Sequence, residues 1–513
     1  MGEFRSFSHS AKGVSHKKSE LPCQDASLDS SGCITRQDAA PDNSADSAKK
    51  TDSSGEMSIA VVADGHGSPQ YFRSDRGSKI AVEVTLEGIR EFIRQNIGVP
   101  EVFVNGGGKK VLDRLVRHVI SSWFTRVAED ECADPISEDD KIASLEDKYK
   151  DRYLNDPNHQ YFCHAYGTTL IAAAITRDYW FGFHIGDGKC EALYEDGVWK
   201  QPIPWDDKCF LNSTTSICDD NSINEFRYWL GFRRADGTFA EYSYGIDGQY
   251  KDGGEALSTR PIAVFIGTDG VDDTYPVYDN EKHLESLYRA VILSIAATDD
   301  FENAKAQIFK LTERLAEQGS QDDVSIAGIV GVLKPELIGH ISLQAEFDKE
   351  NEKLIEVQKD AEAKKQAVQA AKTKFRQAKN CELELRNKFE QSGMMASLRE
   401  SDLKHLRDKP INIKRAKDTA RIKGNLNRFR EENEKAKGEL LKAKSEAGEL
   451  EQRFHLAEDE SKEAEAQALM QEEKAAKLQT RLETFQKQPE SHSADSQGVD
   501  PYKPMQQEGG DDA

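Results

Sequence analysis

The most informative stretch of this chain is Ser58-Ile59-Ala60-Val61-Val62-Ala63-Asp64-Gly65-His66-Gly67. Its first part is an uninterrupted apolar run with β-branched residues, which predicts a short buried β-strand. Asp and Gly are turn residues, so the chain is expected to turn sharply at Asp64. The stretch therefore predicts a carboxylate held at the tip of a buried strand.

The same pattern recurs along the chain. Asp269 follows the run Ile262-Ala263-Val264-Phe265-Ile266-Gly267-Thr268, Asp322 comes just before Val324-Ser325-Ile326-Ala327, and Asp25 marks a further tip. Strand tips that converge would gather negative charge, which raises the carboxyl pKa values or requires a cation. Divalent ions with oxygen ligands are the natural partner of such a cluster.

A cluster of this kind suggests a reaction. Two Mg²⁺ or Mn²⁺ ions roughly 3.5–4 Å apart can share a bridging carboxylate and activate a water molecule as nucleophile. This arrangement suits the hydrolysis of a phosphate ester, because the ions also neutralise the oxygens of the transferred group. His66 is placed to donate a proton to the leaving oxygen, and Gly65 allows its carbonyl to approach a metal closely.

Composition narrows the class of protein. The 513 residues carry a net charge of −22, which argues against a nucleic-acid partner because phosphate neutralisation needs clustered Lys and Arg. No apolar run approaches the ~20 residues of a membrane span, so no transmembrane segment is predicted, and the start lacks the apolar stretch of a secretory signal. The eight cysteines form no CxxC pair, which favours free thiols in a reducing compartment and predicts a cytoplasmic protein.

The first two thirds of the chain predict a sheet core flanked by helices. The apolar spacing indicates helices at 79–97, 109–130, 281–297 and 301–318 and buried strands at 167–175 and 180–185. We assign residues 1–335 to this catalytic domain. Within it, residues 27–56 are rich in Ser, Asp and Lys, which predicts a disordered loop at the tip of a β-hairpin. Because that loop joins two strands, Asp25 and Asp64 are expected to be neighbours.

Beyond residue 340 the composition shifts to Glu, Lys, Ala and Gln. Apolar residues recur in alternating steps of three and four, in one frame from Leu343 to Phe389 and a second from Ile422 to Phe485. A repeat sustained this long predicts coiled-coil helices over residues 340–487.

Two features interrupt and end this region. Ser392-Gly393 and Lys409-Pro410 predict a break near residues 392–412, and the polar residues 488–513 predict a disordered tail. At ~1.5 Å per residue, the two frames span about 70 Å and about 95 Å. The helices therefore form either an antiparallel hairpin or a coil with another chain, and the excess length of the second helix favours a homodimer or another helical partner.

Six motifs in order resemble those of the metal-dependent serine/threonine phosphatases of the protein phosphatase 2C family. They are Gln24-Asp25, Asp64-Gly65-His66-Gly67, Gly167-Thr168-Thr169, Gly186-Asp187-Gly188, Asp269-Gly270 and Asp322-Asp323. Each motif is weak alone, whereas the order and spacing of all six are specific. The resemblance covers residues 8 to 333.

The resemblance implies an α+β fold, a β-sandwich of two antiparallel sheets with helix pairs on both outer faces. It also implies a phosphoprotein substrate and two Mg²⁺ or Mn²⁺ ions, with a third in some members. The positions that match the family's metal ligands are Asp25, Asp64, Gly65, Asp269 and Asp322, with Asp187 and Asp273 matching those of the third, weaker ion. Asp64 matches the bridging ligand, and His66 matches the general acid.

Two of these positions have simpler interpretations. Asp273 is equally suited to cap the helix that follows it, and Gly186-Asp187-Gly188 also suits a hairpin turn.

The chain departs from the family in four places. Gln24 stands where the family has Glu, and Glu20 stands where members carry a phosphate-binding Arg. The nearby cations proposed to bind phosphate instead are His16, Lys17 and Lys18. Asp323 replaces an Asn, and Asn212-Ser213-Thr214-Thr215 replaces the family's Arg-Ala-Leu-Gly-Asp run. These changes affect phosphate anchoring and the substrate-facing flap and leave the metal ligands intact.

Three functions follow from this pattern. The first is a metal-dependent phosphatase that hydrolyses phosphoserine and phosphothreonine monoesters through a metal-activated water. The second is a catalytically weak, phosphatase-like scaffold that acts through its coiled coil, which the substitutions at Gln24 and Glu20 favour. The third is a structural coil protein with an incidental globular head.

Overall fold

The computed structural model describes residues 4–35, 54–137, 141–155, 161–209, 213–245, 255–257, 259–409 and 413–486. The chain divides into two compact units, Met1–Ala345 and Glu346–Ala513.

The elements follow one another along the chain as a series of strands and helices. The strands are β1 (Phe4–Ala11), β2 (Asp25–Thr35), β3 (Ser54–Asp64), β4 (Leu170–Thr176), β5 (Tyr179–Ile185), β6 (Lys189–Tyr194), β7 (Trp199–Lys200), β8 (Arg227–Arg233), β9 (Phe239–Tyr244), β10 (Glu255–Leu257), β11 (Pro261–Gly267) and β12 (Val324–Gly331). The α-helices are α1 (Val14–Lys18), α2 (Ser74–Asn96), α3 (Glu101–Gly106), α4 (Gly108–Ala133), α5 (Asp147–Leu154), α6 (Ser222–Glu225), α7 (Asp269–Asp272), α8 (Asn280–Ala296), α9 (Phe301–Gln318), α10 (Pro335–Arg407) and α11 (Ile413–Gln486). Short 3-10 helices lie at Lys141–Ser144, Tyr161–Tyr166 and Val277–Asp279.

Within the described residues, the strands form two antiparallel sheets. One has five strands in the order β1-β12-β11-β6-β7, and the other has seven in the order β10-β9-β8-β5-β4-β3-β2. The predicted α+β sandwich of two antiparallel sheets is confirmed.

Side chains alternate along each strand and fill three apolar layers. On β3, Ile59 and Val61 pack toward α2 and α4, whereas Ala60 and Val62 pack between the two sheets. Strand β11 alternates in the same way between the other sheet and the pair α8 and α9. Burial on both faces explains why these strands read as continuous apolar runs in the sequence. The predicted helices near 79–97, 109–130, 281–297 and 301–318 are confirmed as α2, α4, α8 and α9.

The prediction of a disordered loop over residues 27–56 is wrong at both ends. Strand β2 extends to Thr35 and β3 begins at Ser54, while residues 36–53 lie outside the described part of the chain. The polar composition is accommodated by hydrogen bonds between the sheets. The Asp29 carboxylate of β2 accepts hydrogen bonds from the hydroxyls of Ser6 and Ser8 on β1, at 2.7 and 2.8 Å. Because these hydrogen bonds satisfy its polar side chains, β2 can pack in the sandwich with few apolar residues.

In the second unit, α10 and α11 pair as an antiparallel helical hairpin. The rings of Phe375 and Phe454 stack at 6.1 Å, and the Gln471 amide donates to the Glu350 carbonyl at 3.0 Å. The buried apolar residues of α11 are all members of the predicted second frame: Leu426, Ala436, Leu440, Ala443, Ala447, Ala464, Ala475, Leu478 and Leu482. The long C-terminal helices are therefore confirmed, and their pairing is within the chain.

The predicted break at Ser392-Gly393 is wrong, because α10 continues to Arg407. Asn433 of α11 donates to the Phe389 carbonyl at 2.8 Å and to the Ser392 hydroxyl at 2.9 Å, which supports the helix beside Gly393. The two helices have 73 and 74 residues, so the predicted mismatch in length is also wrong. Residues 410–412, with the second predicted break, and the predicted tail 488–513 lie outside the described residues.

Among the described helices, none combines the length and the apolar composition that crossing a membrane requires.

Candidate metal centre

A cavity of about 520 Å³ opens where the ends of several strands meet. Its walls come from the ends of β2 and β3, the β5–β6 turn, the start of α7 and the residues before β12. The lining residues are His16, Gln24, Asp25, Asp64, Gly65, His66, Gly67, Ser68, Gln70, Tyr71, Asp187, Ser213, Thr214, Asp269, Asp273, Asp322 and Asp323. The structure thus gathers in one place all the aspartates that the sequence singled out.

The register of β2 and β3 sets the first pair of carboxylates. Asp25 lies directly opposite Asp64 in this antiparallel pair, as predicted. Thr168 and Thr169 then hold the main chain of Asp64. The Thr168 hydroxyl and the Thr169 amide both donate to the Asp64 carbonyl at 2.8 Å, and the Asp64 amide donates to the Thr169 hydroxyl at 3.0 Å. Because these partners satisfy its main chain, Asp64 presents its carboxylate to the cavity from a fixed backbone.

Three carboxylates form the centre of the site. Asp64, Asp187 and Asp269 each bring an oxygen within 4.8 Å of the others. Burial raises the pKa of Asp64 and of Asp269 well above the ordinary value, and the neighbouring carboxylates raise both further. Burial raises the pKa of Asp187 as well. These groups repel one another when ionised, so a cation between them would be stabilising.

Asp25 lies deeper, with 3% of its surface exposed. The Thr268 hydroxyl donates to its carboxylate at 2.7 Å, and Thr268 exchanges hydrogen bonds with the main chain of Ser325 at 3.0 and 3.1 Å. Burial raises the pKa of Asp25 to about 7, although the hydrogen bond from Thr268 opposes this shift. The end of β11 and the start of β12 thereby fix the Asp25 side chain.

Asp323 has a different role from its neighbour Asp322. Its buried carboxylate accepts hydrogen bonds from the amides of Gly13 and Gln24 and from Nδ1 of His16, at 2.7, 2.6 and 2.8 Å. Burial alone would raise the pKa of Asp323, but these hydrogen bonds lower it, and the same contact raises the pKa of His16. The Asp322 side chain is 61% exposed at the mouth of the cavity, 3.7 Å from His16 Nε2.

At two positions near the cavity another segment of main chain comes so close that only glycine fits. A Cβ on Gly65 would lie 2.6 Å from the Ser74 carbonyl oxygen and 2.7 Å from that of Gln24. A Cβ on Gly270 would lie 2.0 Å from the Asp323 carbonyl oxygen. In both cases the contact is with main chain that cannot move aside, so the Asp-Gly pairs let separate strand ends converge.

His66 lies in the wall next to Asp64. Its amide donates to the Gly167 carbonyl at 3.1 Å, and its ring packs against that of Tyr71 with centroids 4.7 Å apart. Burial lowers the pKa of His66 to about 4. The negative charge of a bound phosphate would shift this pKa upward and favour the imidazolium.

The three cations predicted to bind phosphate divide into two groups. His16 lines the cavity, with Nδ1 bonded to Asp323. Lys17 pairs instead with Glu317 at 3.0 Å, half exposed, and neither Lys17 nor Lys18 lines the cavity. The structure therefore does not support phosphate binding by the two lysines, because neither is among the residues that line the cavity.

The donor set fits hard divalent cations. Seven aspartates line the cavity, and the described lining residues include no lysine and no arginine. Oδ1 of Asp187 is buried without a hydrogen-bond partner among the described residues. Carboxylate oxygens are the ligands that Mg²⁺ and Mn²⁺ prefer. Those that could hold such ions are Asp25, Asp64, Asp187, Asp269, Asp273 and Asp322.

Sequence reasoning did not assign a role to several residues that shape the site. Asp323 was noted only as the replacement of an Asn, but its carboxylate organises the start of α1. The amide of Gln24 donates to the Ser74 hydroxyl at 2.7 Å and to the His66 carbonyl at 3.2 Å. Tyr71, which packs on His66, carries no motif. Thr168 and Thr169 stood in a recognised motif, which was the available signal for their contact with Asp64.

The sequence of the chain matches the family model described as "Protein phosphatase 2C" over residues 12–313. No curated protein matches the chain at the level of sequence.

The solved structures that the chain resembles include three of serine/threonine phosphatases. Serine/threonine phosphatase Stp1 from Staphylococcus aureus is 11% identical, with a TM-score of 0.32, covering 65% of this chain and 96% of its own. The phosphatase PstP/Ppp from Mycobacterium tuberculosis is 13% identical, with a TM-score of 0.31, covering 64% and 99%. The catalytic domain of PstP in complex with two manganese ions is 14% identical, with a TM-score of 0.31 and the same coverage. The family assignment rests on the sequence match and not on these likenesses.

Proposed function

Because this chain belongs to the protein phosphatase 2C family, we propose that it is a metal-dependent protein serine/threonine phosphatase. It hydrolyses phosphoserine and phosphothreonine monoesters of a phosphoprotein, using Mg²⁺ or Mn²⁺ in the aspartate cavity. When bound, two such ions, with a third at a weaker site, would supply a water molecule activated for attack and would neutralise the phosphate oxygens.

One observation carries this proposal. The cavity is lined by seven aspartates without a lysine or an arginine among the described lining residues. A phosphate dianion cannot enter such a field unless cations offset it. Phosphate is therefore expected to bind in this cavity only when metal ions are bound there too.

The cavity residues have two proposed roles: most would hold the metal ions, and one would donate a proton. Asp64, held by Thr168 and Thr169, would hold the ions together with Asp25, which lies opposite it, and Asp269, which brings an oxygen within 4.8 Å. Asp187, Asp273 and Asp322 line the same cavity and would hold the ions together with them, and Gly65 would offer its carbonyl. His66 donates a proton to the leaving alkoxide, which needs one because an alkoxide is strongly basic.

The test uses the full-length protein stripped of metal and assayed with Mn²⁺ or Mg²⁺ on phosphothreonine, phosphoserine and phosphotyrosine peptides and on p-nitrophenyl phosphate. We expect turnover that requires the ion and favours phosphothreonine over phosphotyrosine. Asp64→Asn should lower kcat by more than the roughly 10²–10³-fold that loss of one electrostatic contact costs. Asp299→Asn, the same substitution at an exposed position, is the matched control.

A second candidate is a scaffold with little turnover. The observation that favours it is at Gln24, which stands in place of the family's Glu and whose side-chain amide donates hydrogen bonds to the Ser74 hydroxyl and the His66 carbonyl. Absence of activity with either ion, or equal activity after Asp269→Asn, would replace the enzyme with this scaffold.

Two expectations about partners and location stay predictions. The pairing of α10 with α11 removes the argument for a homodimer that rested on unequal helix lengths, and the molecular mass of the full chain in solution tests it directly. The cytoplasmic location inferred from the cysteine pattern is tested by imaging of the tagged protein.

A further inference from the structure

A second group of metal-binding side chains lies apart from the aspartate cavity. His164 belongs to the 3-10 helix Tyr161–Tyr166, and Cys218 and Asp219 belong to the loop between β7 and α6. Each residue places one donor atom within 4.8 Å of the other two. Cys218 is 1% exposed, while His164 and Asp219 are half-buried. None of the three lines the aspartate cavity.

The spacing of the donors suits a tetrahedral ion. Sγ of Cys218 lies 3.6 Å from Nδ1 of His164. A Zn²⁺ ion with sulfur at about 2.3 Å and nitrogen at about 2.0 Å places these two ligands roughly 3.5 Å apart. The two atoms are therefore already separated as the ion would need them.

The donors are also held in place by their neighbours. The His164 ring stacks on that of Tyr161 with centroids 4.4 Å apart. Oδ2 of Asp219 accepts a hydrogen bond from the Ser216 amide at 2.9 Å. Partners of this kind orient metal ligands and strengthen binding.

We propose that His164, Cys218 and Asp219 form a binding site for Zn²⁺ or a chemically similar transition-metal ion. A thiolate and a carboxylate together balance the charge of a divalent ion in this half-buried place. Sulfur and imidazole donors select Zn²⁺ over Mg²⁺ or Mn²⁺, whereas the aspartate cavity offers mainly oxygen. Three protein ligands leave a fourth position for water or another small ligand, since two of the three side chains reach the surface.

The protonation states of the imidazole and the thiol affect metal binding in opposite directions. Burial lowers the pKa of His164, so its imidazole is neutral and free to bind a metal near pH 7. Burial raises the pKa of the Cys218 thiol, so the ion must displace a proton when it binds. Binding is therefore expected to release a proton and to strengthen as the pH rises.

The site is connected to the aspartate cavity by its own loop. The Ile217 amide and the Ser216 hydroxyl both donate to the Thr168 carbonyl, at 3.0 and 3.1 Å. Ser213 and Thr214 of the same loop line the cavity. An ion at Cys218 would fix one end of this loop.

The experiment titrates Co²⁺, a spectroscopic substitute for Zn²⁺, into the metal-free full-length protein with excess Mg²⁺ to occupy the oxygen ligands. We expect thiolate-to-cobalt charge-transfer absorption that saturates at one equivalent and disappears when Zn²⁺ is added. Cys23 lies beside the aspartate cavity, with Sγ 3.6 Å from the Asp25 carbonyl oxygen, so the loss of the band in Cys218→Ser is what assigns it to the proposed site. The readout needs no turnover, and its failure is distinguishable from failure of the proposed phosphatase activity.

Three variants complete the test. Cys218→Ser and, as a second variant at a half-exposed position, His164→Gln should each weaken Co²⁺ binding by more than the roughly 10–100-fold that loss of an outer partner costs. Cys209→Ser, in the same loop, is the matched control and should keep the band. The proposal is overturned if wild type shows no thiolate band, or if the band survives both ligand variants while near-ultraviolet circular dichroism shows them folded. In that case the thiol and imidazole share only a hydrogen bond.

Discussion

Replacing Asp269 by Asn should stabilise the metal-free protein while removing its response to Mn²⁺. Asp64, Asp187 and Asp269 bring oxygens within 4.8 Å of one another. At an effective dielectric constant of about 20, two unit charges at this distance repel by roughly 3.5 kcal/mol. Burial and neighbouring charges raise the pKa of Asp64 and Asp269, so partial protonation already relieves some of this repulsion. We expect a net gain of about 1–2 kcal/mol.

This gain in the free energy of unfolding can be expressed as a shift in melting temperature. The unit Met1–Ala345 has an unfolding entropy of roughly 0.7 kcal/mol/K, at about 2.1 cal/mol/K per residue. The metal-free variant should therefore melt about 1.5–3 °C above wild type. Mn²⁺ at 100 times its Kd stabilises wild type by about 2.7 kcal/mol, or about 4 °C, which the variant should lose. The order of the two melting temperatures thus reverses when Mn²⁺ is added.

The assay is differential scanning calorimetry of wild type and variant, in chelator and in Mn²⁺, with Asp299→Asn as the control for removing one exposed carboxylate. The reasoning is refuted if Asp269→Asn melts well below wild type in chelator and still gains about 4 °C from Mn²⁺. That result would mean that Asp269 supports the fold and binds no ion.

The other predictions concern catalysis, a buried ion pair and pH. His66→Gln should lower kcat about 10²–10⁴-fold on a phosphothreonine peptide but much less on p-nitrophenyl phosphate, whose leaving group needs no proton; equal losses on both would remove the general-acid role. Arg227→Met leaves the fully buried Asp206 without its ion pair and should cost about 3–5 kcal/mol in urea unfolding, while adding Asp206→Leu should recover most of the loss. Burial raises the pKa of Glu191 to about 8, so the folded state holds a proton that the unfolded state has already released. Stability should therefore fall by roughly 2–4 kcal/mol between pH 5 and pH 8, and Glu191→Gln should flatten this slope; an unchanged slope contradicts the assignment.

Much of the site could be predicted because local sequence sets where a strand ends. An apolar run such as Ser58–Ala63 followed by Asp64-Gly65 fixes a carboxylate at a turn, whatever the rest of the chain does. The same holds for Asp269, and the heptad frames likewise locate the apolar face of α11. These features depend on the spacing of residues within one strand or helix, and that spacing can be read directly from the sequence.

The mistakes arose where distant elements compensate for local weakness. Residues 27–35 looked too polar for a strand, but hydroxyls from β1 satisfy Asp29 across the sandwich. Gly393 looked like the end of a helix, but Asn433 from α11 supports the turn beside it. Lys17 lay close to the site in sequence, but the direction of α1 sends it to Glu317.

The sequence by itself determined which residues end the strands, and hence which chemical groups this protein offers to a metal. Only the tertiary structure decided which of them meet: Asp64 with Asp187 and Asp269 in one cluster, and His164 with Cys218 in another. The physical reason is that periodicity acts over a few neighbouring residues. Contacts between strand ends depend instead on sheet register and on main-chain approaches, such as that of Gly270 to Asp323, which no local pattern encodes.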